Sequence, residues 1–318
     1  MSLFDEIRAA AAEVARRARA VALDEAGVER LAESLARERP GPPGVDPAHE
    51  PFARDDDTLA FVLTLNAVNF GSGWFPRLRK RPGRSGYLTV AGALRERFAA
   101  QGAFSPAELE ALEARDCARL FGQQGVPGAE ELMALFARAL RDLGRWLRER
   151  HGGRFAGPVE AAGGSAERLV RLLAEMPLYR DVARYDALEV PFYKRAQITC
   201  ADLALAFGGR GPGAFRDLDE LTLFADNLVP HVLRMKGVLR YADDLAARIE
   251  REELLVCGSP EEVEIRAVAV HAVERLASAC ASRGFAIRPH ALDQLLWARG
   301  QAPEIKAVPR HRTRCTYY

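Results

Sequence analysis

Apolar residues recur at intervals of three and four along most of this chain and seldom alternate one by one, which restricts it to a largely helical fold. Leu3, Phe4, Ile7, Ala10, Ala11, Val14, Ala18 and Val21 make one such stripe, and Val28, Leu31, Ala32 and Leu35 make a second after Gly27. Two amphipathic helices are therefore expected to open the protein. Ser105-Pro106-Ala107-Glu108 and Ser259-Pro260-Glu261-Glu262 have the form of helix starts. In each, the Ser hydroxyl can accept the N–H three residues on, and Pro at the first helical position gives up a donor that has no partner there. A stripe from Leu132 through Phe136 and Leu143 to Leu147 should end at Gly152-Gly153, and one from Val263 to Ala277 should run about six turns, stopping at Gly284. The best strand candidates are the short segments SGYLTVAG (85–92) and RYDALEVPF (184–192).

The 318 residues suffice for one large core, and 48% of them are hydrophobic, so the chain is expected to be one mainly α unit. Residues 1–40 would form the helical pair, 41–57 a Pro-rich arm and 58–318 the core, with a split near residue 155 as the alternative. The arm follows from four prolines between Arg39 and Pro51, which remove backbone donors and restrict their neighbours. With 45 basic against 44 acidic residues, no global field would hold a long polyanion, so no stable nucleic-acid complex is expected. No apolar run approaches the roughly 20 residues of a membrane span, and the N-terminus lacks the apolar stretch of a secretory signal. A cytoplasmic monomer is the expectation. The five cysteines lie far apart and no Cys/His spacing suits a metal, so neither disulfides, a metal nor a cofactor is expected. Only Lys80, Lys194, Lys236 and Lys306 are lysines, which makes each a marked choice over Arg.

Several segments can carry chemistry. In LTLFADNLVPHVLRMKGVLRY (221–241), after a start signal at Asp217 and Glu220, Leu221, Phe224, Leu228 and Val232 share a helical stripe. Pro230 would crowd the carbonyl of Asp226 four residues earlier, so the helix should bend or end there. A carboxylate in such a place is partly desolvated and suits acid–base work, although a solvated face or a cap on the helix after Pro230 would place Asp there too. In EVPFYKRAQITCADLALAF (189–207), Tyr193, Lys194, Arg195 and Gln197 gather donors at a helix start that can meet a phosphate, or form an ordinary basic turn. Asn66 and Asn69 beside Phe70, Trp74 and Phe75 can hold a base by its face and edge, or belong to the core. The cation-rich run RLRKRPGRSG (77–86) can meet a phosphate or be a solvated loop. Asp293 and Trp297 fall on one helical face, and the ending HRTRCTYY should be docked rather than frayed. His49, in the arm, is a further polar candidate.

LNAVNFGSGWF, SGYLTVAGAL, MPLYRDVARY, VPFYKRAQI, LTLFADNLVPHVLRMKGVLRY, GSPEEVEIRA, LDQLLWARGQ and the terminal HRTRCTYY, in that order, resemble the queuosine salvage family of queuosine 5'-phosphate N-glycosylases. The resemblance covers about His49 to Tyr318. It departs at Asn227, where Tyr is common in the family, and around Asn66 to Trp74. It implies a mainly helical fold like that of helix-hairpin-helix DNA glycosylases, and VLRMKGVLRY around Gly237 is compatible with such a hairpin, though without a GxG turn. It also implies hydrolysis of the N-glycosidic bond of queuosine 5'-monophosphate, with release of queuine for reuse in tRNA.

Breaking a ribosyl C–N bond builds positive charge on the sugar and negative charge on the base, so a carboxylate by the sugar and donors around the base are required. Under this resemblance Asp226 is the catalytic carboxylate that stabilises the sugar cation or activates water, or alternatively accepts the N–H edge of the base, and Asp293 recognises the base or its side ring. Lys194 meets the 5'-phosphate or ribose, and Phe70, Trp74, Phe224 and Trp297 stack. His49 closes over the base, while Asn69, Tyr193 and Asn227 complete the substrate contacts. Two rivals are a DNA-repair glycosylase acting on a flipped base, and a non-catalytic helical module that binds queuine or its nucleotide. The first would need a long basic face; the second would bind without turnover.

Overall fold

The start signals form the helices they announce. Ser105 accepts the Glu108 N–H at 3.2 Å while the Glu108 carboxylate accepts the Ser105 N–H at 2.7 Å, opening helix Pro106–Ala111. Ser259 likewise caps Pro260–Ala281, the 22-residue helix expected after it, and Glu130–Arg150 carries the long stripe up to Gly152. The computed structural model describes residues 1–318, the side chain of Ala48 excepted. Fifteen α-helices and three two-stranded sheets occur among the described residues, so the fold is mainly α. No described helix is long and apolar enough to cross a membrane.

The chain forms two units that interleave along the sequence. The first comprises residues 1–44, 181–194 and 219–314. Here Leu3–Arg17 and Glu25–Glu38 are the predicted opening pair, but the first helix stops at Arg17 and Val21 lies instead in strand Val21–Leu23, antiparallel to Leu239–Tyr241. Helix Pro260–Ala281 runs through this unit with Glu262 to Val270 buried without a break and Val268, Ala269 and Ala272 at 0% exposure. A Cβ on Gly27 would stand 1.9 Å from the Gly237 carbonyl oxygen, so the approach of helix Glu25–Glu38 to that strand needs glycine. The strand candidate RYDALEVPF proves to be most of a hairpin, Val182–Tyr185 paired with Leu188–Pro191, with Asp186 at φ +51° in its turn.

The second unit comprises residues 45–180, 195–218 and 315–318. Its core is helical, built on Asp55–Ala67, Gly86–Gln101 and Glu130–Arg150. The chain terminus is docked here: the Tyr318 carbonyl accepts the N–H of Gly71 at 2.9 Å, Gly71 sits at φ +112°, and Tyr318 is buried.

Three expectations fail. SGYLTVAG is the first half of helix Gly86–Gln101, because Ser85 caps it at the Leu88 N–H and burial of Thr89 and Val90 outweighs their preference for strands. Residues 221–226 are not a helix bent by Pro230; they have no regular secondary structure, and Pro230 occupies the first turn of Val229–Met235, where its missing N–H costs nothing. Gly237 does not turn between two helices but leads into strand Leu239–Tyr241.

Candidate active site

The irregular segment 221–228 has no helical ladder, and distant side chains take two of its backbone groups. Asp293 Oδ1 accepts the Phe224 N–H at 3.2 Å, Arg266 Nε donates to the Ala225 carbonyl at 3.0 Å, and Asn227 Nδ2 donates to the His311 carbonyl at 3.2 Å. Asp226 then turns its carboxylate onto the start of the next helix, with Oδ1 accepting the N–H groups of Leu228 at 2.8 Å and Val229 at 2.9 Å. The capping alternative read from the sequence is thus realised, and it holds the carboxylate still.

Asp226 is partly exposed, yet protein crowds its carboxylate enough that burial lifts its pKa above the ordinary value. The Lys194 ammonium opposes this most strongly, then the two N–H groups, then the Arg310 guanidinium. Burial correspondingly pushes Arg310 down, and Asp226 opposes that shift. The result is a poorly solvated carboxylate whose affinity for a proton is enhanced by burial and moderated by the charges of Lys194 and Arg310. Such a group can oppose positive charge on a sugar or take a proton from water.

Lys194 is 6% exposed and opens helix Lys194–Ala206; its N–H donates to Asp181 Oδ2 at 3.1 Å. Tyr193, just before it, holds φ +48° and is partly exposed. Asp293 and Trp297 lie one turn apart on helix Pro289–Arg299, Asp293 buried and Trp297 partly exposed. Phe224 and Asn227 are buried beside Asp226 in the chain. His231 is 1% exposed, its Nε2 lies 3.0 Å from the Ile305 carbonyl, and burial lowers its pKa. His311 is pushed down to about 3 by burial and the nearby cations Arg310 and Arg266, so its imidazole is neutral. The first unit thus collects Asp226, Lys194, Tyr193, Phe224, Asn227, Asp293 and Trp297.

His49, Asn69, Phe70 and Trp74 belong to the second unit. His49 stacks on Tyr87, ring centroids 5.6 Å apart, with Nε2 2.7 Å from the Tyr87 hydroxyl, and lines a small cavity with Leu65 and Asp202. Asn69 donates to Asn66 Oδ1 at 3.0 Å, and Trp74 Nε1 donates to Glu131 at 2.7 Å. Phe70 packs edge-on against Phe136 and carries the Arg195 guanidinium 4.9 Å from its centroid. Phe70 and Trp74 are 1% and 2% exposed, as deeply buried as Phe224 at 2%. Arg195, read as a phosphate donor, gives its N–H groups to the carbonyls of Asn66, Ala67 and Leu178.

Sequence reasoning missed Arg310, Arg266 and Asp181. Arg310 carries no spacing signal, and the other two lie within MPLYRDVARY and GSPEEVEIRA without a role that periodicity assigns. Among the described residues no three His, Cys, Asp or Glu side chains converge to hold a metal ion.

Residues 49–318 match the family described as queuosine salvage protein. A relative from Sphaerobacter thermophilus, named queuosine 5'-phosphate N-glycosylase/hydrolase, is 40% identical over 312 residues, 96% of this chain and 95% of its own length. Relatives of the same name from Mus musculus and Bos taurus are 33% and 32% identical, each covering 96% of both chains. The match spans the segments that build the Asp226 cluster, and this chain belongs to the queuosine salvage protein family.

Proposed function

We propose that this protein hydrolyses the N-glycosidic bond of queuosine 5'-monophosphate and releases queuine for salvage into tRNA. One observation carries the reading: the Asp226 carboxylate, fixed by two backbone N–H groups and crowded by protein, stands under the combined influence of Lys194 and Arg310. As the bond from the anomeric carbon to the base nitrogen stretches, the sugar becomes oxocarbenium-like and the electron pair leaves with the base. Asp226 stabilises that cation, or takes a proton from the attacking water. Water's hydroxyl ends on the anomeric carbon and a proton ends on the base nitrogen, so ribose 5-phosphate and queuine are the products. A carboxylate that is already desolvated and held in place needs little reorganisation to oppose the developing charge.

Lys194 meets the 5'-phosphate or ribose, and Asp293 offers an acceptor to the N–H edge of the deazaguanine or its side ring. Phe224 and Trp297 supply apolar surface to the base, with Tyr193 and Asn227 beside it. Chromatography of queuine released from the monophosphate, the nucleoside and intact tRNA, side by side, tests the reading: the monophosphate should be consumed fastest. Tight binding without release would instead make the protein a carrier.

A further inference from the structure

A buried ion pair bonds to the N–H of Lys194 and to the carbonyl of Ala225, the residue before Asp226. Arg266, midway along helix Pro260–Ala281, is 1% exposed. Its Nη1 and Nη2 donate to Asp181 Oδ1 at 3.0 Å and Oδ2 at 2.6 Å, a two-pronged match that Lys cannot make. Its remaining edge, Nε, donates to the carbonyl of Ala225, the residue before Asp226. The guanidinium carbon lies 3.9 Å from the centroid of Phe192, and Glu262, one turn earlier, stands 3.8 Å away.

Asp181 extends the chain of contacts in the other direction. Its Oδ2 also accepts the Lys194 N–H at 3.1 Å, and its carbonyl accepts the N–H groups of Phe192 at 2.9 Å and Tyr193 at 3.1 Å. Three successive residues ending at Lys194 therefore hang on Asp181, and Asp181 hangs on the arginine that grips Ala225. The positive φ of Tyr193 is a backbone state that a non-glycine residue holds only when its surroundings insist, and these bonds surround it.

A buried ion pair is poor value for stability alone, since a well-packed apolar pair of the same volume is often at least as stable. Its geometry here joins two peptide segments distant in sequence, one bearing the ammonium and the other the carboxylate. We propose that Asp181 and Arg266 are positioning residues for the hydrolytic reaction: through the peptide groups of Lys194 and Ala225 they set the placement of the Lys194 ammonium relative to the Asp226 carboxylate. Neither side chain touches the substrate. This inference rests on the function proposed above.

Two variants test it. Asp181→Glu keeps both charges and adds one methylene to the link; Asp181→Asn, Arg266→Gln and Glu262→Gln together remove the pair and the buried carboxylate 3.8 Å from it, leaving no lone buried ion. Melting temperature and circular dichroism identify the folded variants, which are then assayed for queuine release. A displacement near 1 Å at a reacting group costs up to about 100-fold in rate, so kcat should fall roughly 10- to 100-fold, and KM for the monophosphate should rise as the displaced Lys194 meets its phosphate less well. The acid limb of the kcat–pH profile should move to higher pH, because a displaced Lys194 opposes the burial of Asp226 less. A purely structural role lowers the melting temperature and leaves that limb in place.

The carboxyl carbon of Asp226, followed by 13C NMR and assigned with Asp226→Asn, gives the same titration without turnover. Wild-type protein that releases no queuine defeats the functional reading, and the NMR titration still decides the positioning one. A folded variant with wild-type kcat or an unmoved Asp226 titration overturns the proposal, as does failure of both variants to fold, which would assign the pair to the core.

Discussion

Asp293 Oδ1 receives the backbone N–H of Phe224 at 3.2 Å, two residues before Asp226. A helix residue thereby satisfies a buried donor on a segment that has no ladder of its own. Asp293→Ala strands that N–H away from water and should cost about 1–3 kcal/mol of stability. Asp293→Asn keeps an acceptor and should cost less. Urea unfolding of both variants measures the difference, and an alanine variant as stable as the parent would show that Phe224 finds another acceptor.

Asp226→Asn should eliminate queuine release without lowering the melting temperature. Because folding raises the pKa of Asp226, the charged form is on balance disfavoured in the native state, and its neutral replacement still accepts the Leu228 and Val229 N–H groups. Differential scanning calorimetry at pH 7 checks this. A marked drop in melting temperature would mean that the Lys194 and Arg310 charges need Asp226 more than its burial opposes it.

Lys194→Ala should reduce hydrolysis of the monophosphate far more than hydrolysis of the nucleoside. Equal losses on the two substrates would assign the ammonium to Asp226 alone and remove it from the phosphate.

His311 contributes the most strongly shifted of several imidazoles, His151, His231, His271 and His290 among them, whose lowered pKa makes stability depend on pH. Its pKa is depressed in the folded state to about 3, so the unfolded chain binds the extra proton first. The contribution is present above the unfolded value near 6.5 and is lost as pH falls from there toward about 3. Between pH 7 and pH 5 one such group removes about 2 kcal/mol, at 1.36 kcal/mol per unit. The midpoint of urea unfolding should fall over that interval, and His311→Gln should flatten the fall. An identical slope in the variant would show that other buried imidazoles carry it.

The parts of the fold legible in the sequence were those whose determinants are local. Ser259-Pro260-Glu261-Glu262 announces its helix because cap, ring and first-turn acids act within four residues, and RYDALEVPF shows its strand character in its own short pattern, though not the turn that makes it a hairpin. Residues 221–228 were read as helical because Leu221, Phe224, Leu228 and Val232 keep helical spacing. What unwinds them is Asp293 and Arg266, 69 and 41 residues away from their partners. Asp226 could be singled out from Pro230 and its apolar neighbours, and Lys194 from the scarcity of lysine. Arg310 could not, since only folding brings its charge to bear on Asp226.

The central claim is that Asp226 drives cleavage of a nucleotide's glycosidic bond, and the most direct measurement is single-turnover release of queuine from queuosine 5'-monophosphate by wild-type protein and by Asp226→Asn. The account predicts stoichiometric release by the wild type and, from a variant that still folds and binds the nucleotide, none. Release by Asp226→Asn at the wild-type rate would contradict it.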